Sequence, residues 1–154
     1  MIKIRYACVD DIKHIEYLYH QLFCHGAALQ PFYLQEAQQD VSFIKETILA
    51  PNSDILLAVQ ASNIIGFAVL QLQKTLPYKC LVPHQYVYLI DFIIDQNVRN
   101  QGIGQTLFES VLDWGKQRGA EYLELSTQAE NTKAQGFYER NNMAVATLTY
   151  RYRF

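Results

Sequence analysis

Hydrophobic and polar positions alternate at the start of the chain, Ile2, Ile4 and Tyr6 against Lys3 and Arg5, and a period of two predicts a strand. The period then changes. Ile12, Ile15, Leu18, Tyr19, Leu22 and Phe23 recur at helical steps, predicting a helix capped by Asp10 or Asp11 and ended by Gly26. Beyond Pro31, the positions Leu34, Ala37, Val41, Ile44 and Ile48 keep those steps and predict a second helix, stopped by Pro51-Asn52. Runs at 54–61 and 64–73 read as antiparallel strands joined by a tight turn at Ser62-Asn63. After a loop holding Pro77, Cys80 and Pro83, the β-rich stretch Tyr86 to Asp95 predicts a central strand. A glycine-bearing turn leads into a helix with Ile103, Leu107, Phe108, Val111, Leu112 and Trp114 on its buried side, closed by Gly119. A strand at 121–127, a short helix at 132–141 and a last strand at 143–154 follow, with Leu148, Tyr150, Tyr152 and Phe154 on one face of the last. The succession β-α-α-β-β-β-α-β-α-β predicts an α/β (α+β) fold, a mixed sheet with helices on both faces.

Composition narrows the class. A length of 154 residues without repeat, linker or low-complexity segment predicts a single domain over 1–154, and 50% apolar against 18% charged residues excludes disorder. The formal net charge of −2 offers no overall positive field to nucleic acid or an anionic membrane, so any bound anion must be held locally. No apolar run approaches the roughly 18 residues that span a bilayer, and the opening Met-Ile-Lys-Ile-Arg-Tyr lacks the apolar core of a signal peptide. Cys8, Cys24 and Cys80 are odd in number and show no C-x-x-C spacing, which predicts idle thiols and a cytoplasmic protein. His20, Cys24 and His25 cluster at helical spacing without further ligands, so no metal is expected.

The segment Val98-Arg99-Asn100-Gln101-Gly102-Ile103-Gly104 lies between the central strand and a helix, where free backbone N–H groups and the positive helix end converge on an anion site. Gly102 and Gly104 let main chain approach a phosphate, and Arg99 adds a fixed charge. Two glycines would equally serve a plain strand-to-helix turn. A Rossmann fingerprint fits less well, since its third glycine would fall on Leu107, and a Walker loop lacks its G-K-[ST]. The segment resembles the R-x-x-G-x-G coenzyme-A pyrophosphate motif of the GNAT acyltransferases. Ile4-Arg5 with Ala7, Asp11 and Ile12 resembles that family's opening, and Asn131, Ala134, Phe137 and Tyr138 are similar to its N-x-x-A-x-x-F-Y motif. The resemblance spans essentially the whole chain.

What it implies is a GNAT fold with a V-shaped cleft between the central strand and residues 121–127, filled by acetyl-CoA as co-substrate. The pantetheine arm would pair with main chain near Phe92, Ile93 and Ile94, and the turn from Arg99 and Asn100 through Gln101, Gly102, Ile103, Gly104 and Gln105 would cradle the pyrophosphate. Asn131 reads as a helix N-cap that in the family also meets the pantetheine amide; Ala134, Phe137 and Tyr138 share one helix face. Phe137 reads as core, and Tyr138 as the acid that protonates the departing thiolate, with a buried tyrosine as the alternative. Two positions depart from the family pattern: Asn142-Met143 replaces Gly-Phe after this helix, and Gly136 lies inside it.

An amine acceptor must lose a proton, and Asp91 on the central strand, read as sharing a face with Leu89 and Ile93, is the best-placed carboxylate to accept it; a structural role or a water relay is the alternative. The run Tyr88-Leu89-Ile90-Asp91-Phe92 resembles polyamine acetyltransferases of the family, with Ile90 where those have a first acid. Phe23, Phe32 and Tyr33, with Asp91, are expected to wall an acceptor pocket, which favours a small-molecule amine over a protein. The predicted activity is acetyl-CoA-dependent N-acetyl transfer to a primary amine in a ternary complex. A non-catalytic acyl-CoA-binding module and a protein N-acetyltransferase are the alternatives. The apolar last strand predicts a homodimer. Aromatic residues, at 13%, exceed what the core needs, and the excess between Tyr17 and Tyr33 points to an acceptor with an apolar part or a cation held over ring faces.

Overall fold

The computed structural model describes all 154 residues. The elements are β1 (Ile2–Tyr6), α1 (Ile12–Leu29), α2 (Val41–Leu49), β2 (Ser53–Gln60), β3 (Asn63–Lys74), β4 (Gln85–Ile94), α3 (Ile103–Gln117), β5 (Leu123–Glu124) and α4 (Thr132–Arg140). The strands form one sheet in the order β1-β2-β3-β4-β5. The first three pairings are antiparallel and β4–β5 is parallel.

Both faces of the sheet are covered, which is why β2 and β3 read as nearly continuous apolar runs. Leu56, Ala58, Ala68, Leu70, Val87 and Leu89 pack under α3 with Ile103, Leu107, Phe108, Val111 and Trp114. Ile55, Leu57, Phe67, Val69 and Ile93 pack against Ile15, Leu18 and Tyr19 of α1 and Ile44 of α2. The alternation along β2 and β3 therefore sorts side chains between two helical layers.

Several elements differ from the sequence reading, each for a local reason. Gly26 does not end α1, which continues to Leu29. The missing side chain there leaves room for Leu34, whose Cδ1 lies 3.3 Å from where a Cβ would stand. The second helix starts only at Val41, because Leu34 and Ala37 are exposed and have no core to meet. The hairpin turn is Ala61-Ser62, both at positive φ (47° and 68°), with Asn63 paired to Gln60, the geometry of a type I′ turn. The strand expected at 121–127 pairs only at Leu123 and Glu124. No strand forms over 143–154: after Met143 the backbone makes no hydrogen bond within the chain, and the segment is held by side chains alone, Arg153 over Phe32 (3.5 Å) and Arg151 over Tyr33 (4.3 Å).

Two helix ends follow the expected chemistry. Gly119 (φ 72°) and Asn142 (φ 64°) take the left-handed position after α3 and α4. Each is closed by a pair of bonds, Ala120 N–H to Gly115 O with Gly119 N–H to Lys116 O, and Met143 N–H to Tyr138 O with Asn142 N–H to Glu139 O. Asp11, by contrast, does not cap α1 with its side chain. Its carboxylate takes both Arg5 Nη1 (2.7 Å) and Nη2 (2.8 Å) and the Cys8 N–H (2.9 Å), fastening β1 to the start of α1.

The Arg5 guanidinium holds the Asp11 carboxyl well below the usual carboxylate range. Because the folded-state value lies below the unfolded one of about 3.9, this stabilisation is present above that pH and is lost progressively as the pH falls toward the folded-state value. Asp11→Asn is expected to cost about 1 to 3 kcal/mol at pH 7, less than a fully buried pair because Arg5 keeps 36% of its side chain exposed, and to flatten stability between about pH 2 and 5. Urea unfolding followed by the fluorescence of Trp114, the only tryptophan, measures both.

Candidate active site

β4 and β5 pair only at Val87↔Leu123 and Tyr88↔Glu124. From Leu89 to Ile94 the β5-facing edge of β4 has no strand neighbour, and this opening is the cleft. Residues Phe92, Ile93 and Ile94 lie along it.

A bulge shapes the middle of β4. Val69 pairs with Asp91 and Leu70 with Leu89, so Ile90 is an extra residue on β4 and the side-chain alternation changes phase there. Leu89 packs in the α3 layer, whereas Ile90 and Ile93 pack in the α1 layer. The expected common face of Leu89 and Asp91 is thus corrected: Asp91 is on the α1 side with Ile93. There the Tyr19 hydroxyl donates to Asp91 Oδ2 at 2.6 Å. Burial pushes the Asp91 carboxyl up, opposed in part by that hydrogen bond, and burial beside this carboxylate pushes the Tyr19 phenol above its usual range. Tyr19 itself is completely buried among Phe23 (5.4 Å), Phe43 (6.4 Å) and Phe67 (4.7 Å). The sequence places Tyr19 on the apolar face of α1 and within the aromatic excess between Tyr17 and Tyr33, without this partner; the signal available is that a buried phenol needs one.

On the other side of the sheet, α4 supplies Phe137 and Tyr138. Phe92, Phe108 and Phe137 form a ring cluster with centroids 5.5 to 6.2 Å apart, and Tyr138 joins it 6.0 Å from Phe108. Burial alone pushes the Tyr138 phenol up to about 12, with no hydrogen-bonded or charged neighbour contributing. Asn131 Oδ1 accepts the Ala134 N–H (3.2 Å) and so caps α4. A Cβ on Gly136 would meet only the Arg140 guanidinium (3.5 Å), so no neighbouring backbone requires this glycine.

The turn before α3 has the features of an anion cradle. Asn100 (φ 64°) and Gly102 (φ 77°) are both left-handed, and Gly102 is the N-cap. Nothing lies within 4 Å of a Cβ built on Gly102, and a Cβ on Gly104 would make only ordinary contacts with Ile94 and Phe137 at 3.7 Å. The space in front of this helix end is therefore open, and the exposed residues Arg99, Asn100 and Gln101 border it. Arg99 Nε donates to Ile94 O (3.0 Å), tying the turn to the cleft edge. Ile103 is buried beneath it. Gln105 exchanges amide hydrogen bonds with Asn141 (2.9 and 3.1 Å), locking α3 to α4. Gln21 accepts the Gln96 N–H (3.1 Å), locking α1 to the same turn. Neither contact was foreseen.

Of the expected acceptor wall, Phe23 packs on Tyr19, half-buried, while Phe32 (59% exposed) and Tyr33 (43% exposed) stand at the surface turn after α1. That turn is tied to the loop before α4 by Gln128 Nε2 donating to Gly26 O (3.0 Å) and Gln30 Nε2 donating to Glu130 (2.8 Å). His20 and Cys24 lie 3.5 Å apart on α1, and no group of three or more His, Cys, Asp or Glu side chains is gathered anywhere.

A parallel strand pair that parts beside a glycine turn and a helix carrying Asn131 and Tyr138 defines the acyl-CoA-dependent acetyltransferase class. The profile of the Acetyltransferase (GNAT) family matches residues 14–143, and the chain belongs to that family. It is 29% identical over 143 residues to the uncharacterized N-acetyltransferase YhfO of Bacillus subtilis, covering 91% of this chain and 88% of the relative. A tetramutant of the BH1408 protein of Bacillus halodurans shares the fold with a TM-score of 0.94 at 22% identity over 99% of both chains. The aminoglycoside N-acetyltransferase AAC(6')-Iy, in complex with CoA, aligns with a TM-score of 0.75 at 21% identity over 100% of this chain and 95% of its own.

Gly102→Ala places a side chain at positive φ and is expected to cost about 1 kcal/mol and to weaken CoA binding by roughly tenfold. Gly136→Ala is expected to stabilise α4 by about 1 kcal/mol. Calorimetric CoA titration and urea unfolding check the pair.

Proposed function

We propose that the protein, a single domain over 1–154, transfers acetyl from acetyl-CoA to a primary amine of a small molecule by direct attack in a ternary complex. The observation that carries this is the placement of two titratable groups on opposite sides of the open β4 edge: Asp91, raised by burial and held by Tyr19, and Tyr138, a half-buried phenol whose hydroxyl makes no hydrogen bond within the chain.

Acetyl-CoA, when bound, supplies the activated acyl thioester. The amides from Gln101 to Gln105, with Arg99 and Asn100, hold its phosphates at the positive end of α3, and main chain at Phe92, Ile93 and Ile94 pairs with its pantetheine arm. Asn131 and Ala134 border that arm, and Phe137 floors it. A backbone N–H near Ile94 polarises the thioester carbonyl.

An alkylamine of pKa about 10.4 pays roughly 4 to 5 kcal/mol to reach its neutral form at pH 7. Asp91 accepts that proton from the α1 side, where its Oδ2 is already fixed by Tyr19. Tyr138, protonated at any pH below about 12, returns a proton to the thiolate leaving group on the other side. The acceptor enters past Phe23, Phe32 and Tyr33, rings that suit an amine with an apolar part; Arg153 and Arg151 already stack on the last two. The likeness to an aminoglycoside N-acetyltransferase supports a small-molecule acceptor. No helix is long and apolar enough to cross a membrane. We place the protein in the cytoplasm as a homodimer.

An amine-panel screen with thiol detection tests the reading, with peptide N-termini as one arm. Tyr138→Phe is expected to lower kcat by about 10² to 10⁴ with CoA affinity kept; unchanged turnover would remove the acid assignment. Asp91 must be ionised to act, so kcat/KM is expected to fall as the pH drops through a value above the ordinary carboxylate range, a limb that Asp91→Asn abolishes. Acetyl-CoA binding without transfer to any amine would favour a non-catalytic module, and transfer to peptide N-termini alone a protein N-acetyltransferase.

A further inference from the structure

Tyr19 stands where a phenylalanine would pack equally well. Its ring is enclosed by Phe23, Phe43 and Phe67, and no part of it reaches solvent. That enclosure fixes where the hydroxyl can go. It crosses from α1 to β4 and meets Asp91 Oδ2, a residue 72 positions along the chain that the bulge at Ile90 turns to this face. A buried phenol needs an acceptor, but a backbone carbonyl or an amide would serve, and a carboxylate costs more than either to take out of water. Packing alone does not account for the pairing.

The two carboxylate oxygens of Asp91 differ in their surroundings. Oδ2 accepts the Tyr19 hydroxyl, whereas Oδ1 makes no hydrogen bond within the chain and is not shut away from solvent. The phenol is held from its other side by residues 35–40, which cross α1. Ala37 O and the Gln38 amide meet His20 Nδ1, each at 3.2 Å, and the Gln39 amide faces the Tyr19 hydroxyl. Gln39 Oε1 is taken by the Asp40 N–H (2.9 Å), so the amide nitrogen is the end left for the phenol oxygen. A donor on that oxygen strengthens its own O–H as a donor to Asp91.

No charged group competes for Asp91. From α1 only Tyr19 acts on its carboxyl, against the rise that burial causes, and His20 is turned to Ala37 and Gln38. Glu36 of the crossing segment faces Cys24 instead, Val69 is the β3 partner, and Glu124 on β5 lies opposite Tyr88. α2 contributes Phe43, and Tyr138 belongs to the far side of the sheet.

We propose that Tyr19 is the positioning residue of the transfer site: by occupying Asp91 Oδ2 it presents Oδ1 to the acceptor amine, and Gln39 holds Tyr19 in that role. The inference rests on the reading of Asp91 as the base and deepens it. Oδ1 takes one proton from the ammonium group, leaving a neutral amine to attack. The N–C bond forms, the C–S bond breaks, and the thiolate takes the Tyr138 proton. The second proton, shed as the amide forms, restores Tyr138 through solvent, and Oδ1 releases its own to solvent. Tyr19 keeps its proton throughout.

Carbon-13 NMR of the Asp91 carboxyl, assigned by its loss in Asp91→Asn, reads the titration directly. The pH profile of kcat/KM, with phenethylamine or whichever panel amine is turned over fastest, reads its use. Tyr19→Phe keeps the ring and is expected to move both the titration and the acid limb up by about one to two pH units, because the hydrogen bond favours the ionised carboxyl. Activity then falls roughly tenfold or more below the limb and much less above it, whereas a role in folding alone would lower it by one factor at every pH. Gln39→Leu, at a half-buried position outside any helix or strand, is expected to move both the same way by less, and it carries the test if Tyr19→Phe loses the native Trp114 fluorescence. A titration unmoved in the folded variants overturns the role of Tyr19 and leaves Asp91 as base where the limb still follows its titration. A titration that moves without the limb, or no turnover with any amine, overturns the base reading and this inference with it.

Discussion

The parting of β4 from β5 after two ladder pairs is the constraint on which the rest of the molecule depends. An unpaired strand edge inside a covered sheet is costly unless something bonds to it. Phe92, Phe108, Phe137 and Tyr138 fill the α3 side of the opening with rings, so the gap cannot simply close by sliding β5 along β4. What can satisfy the edge is an extended ligand, and the glycine turn at its end faces open space. The donor site proposed above and the fold are therefore one feature, the break in the sheet.

That break also separates the charges. Arg5–Asp11 and the group formed by Asp54, Trp114 Nε1 (2.8 Å) and Arg118 (3.4 Å) sit elsewhere in the fold, each ion meeting a partner. Asp91 has no cation within reach, only the Tyr19 phenol. A carboxyl so placed leans toward its neutral form, and partial burial pushes the Tyr138 phenol the same way. One of them is suited to gain a proton at moderate pH and the other to keep one until it is demanded. The difference begins with the residue types, a carboxyl and a phenol; burial raises both, and the Tyr19 hydrogen bond opposes the rise at Asp91.

Much of this was legible in the sequence wherever a residue pattern meets the sheet directly. The core faces of α1 and α3, the strands β1 to β4, the left-handed Asn142 and the Asn131 cap follow from local chemistry. Legibility failed where the deciding contact lies far along the chain. The bulge at Ile90 is set by the register of β3, and it alone moved Asp91 to the α1 face. The bond from Tyr19 to Asp91 spans 72 positions. Leu34 and Ala37 keep helical spacing but find no core, and the aromatic alternation after Met143 describes a strand for which the single chain provides no neighbour.

The bond from Gln128 to the carbonyl of Gly26, 102 positions away, joins the last turns of α1 to the loop that leads into α4. Gln30 and Glu130 double it. These two bonds fasten α1 and the turn after it to the approach to α4. A shift of the loop before α4 is therefore transmitted to the turn bearing Phe32 and Tyr33. Were donor and acceptor to bind against these two elements as proposed above, their affinities would be linked, each changing the other by the same factor.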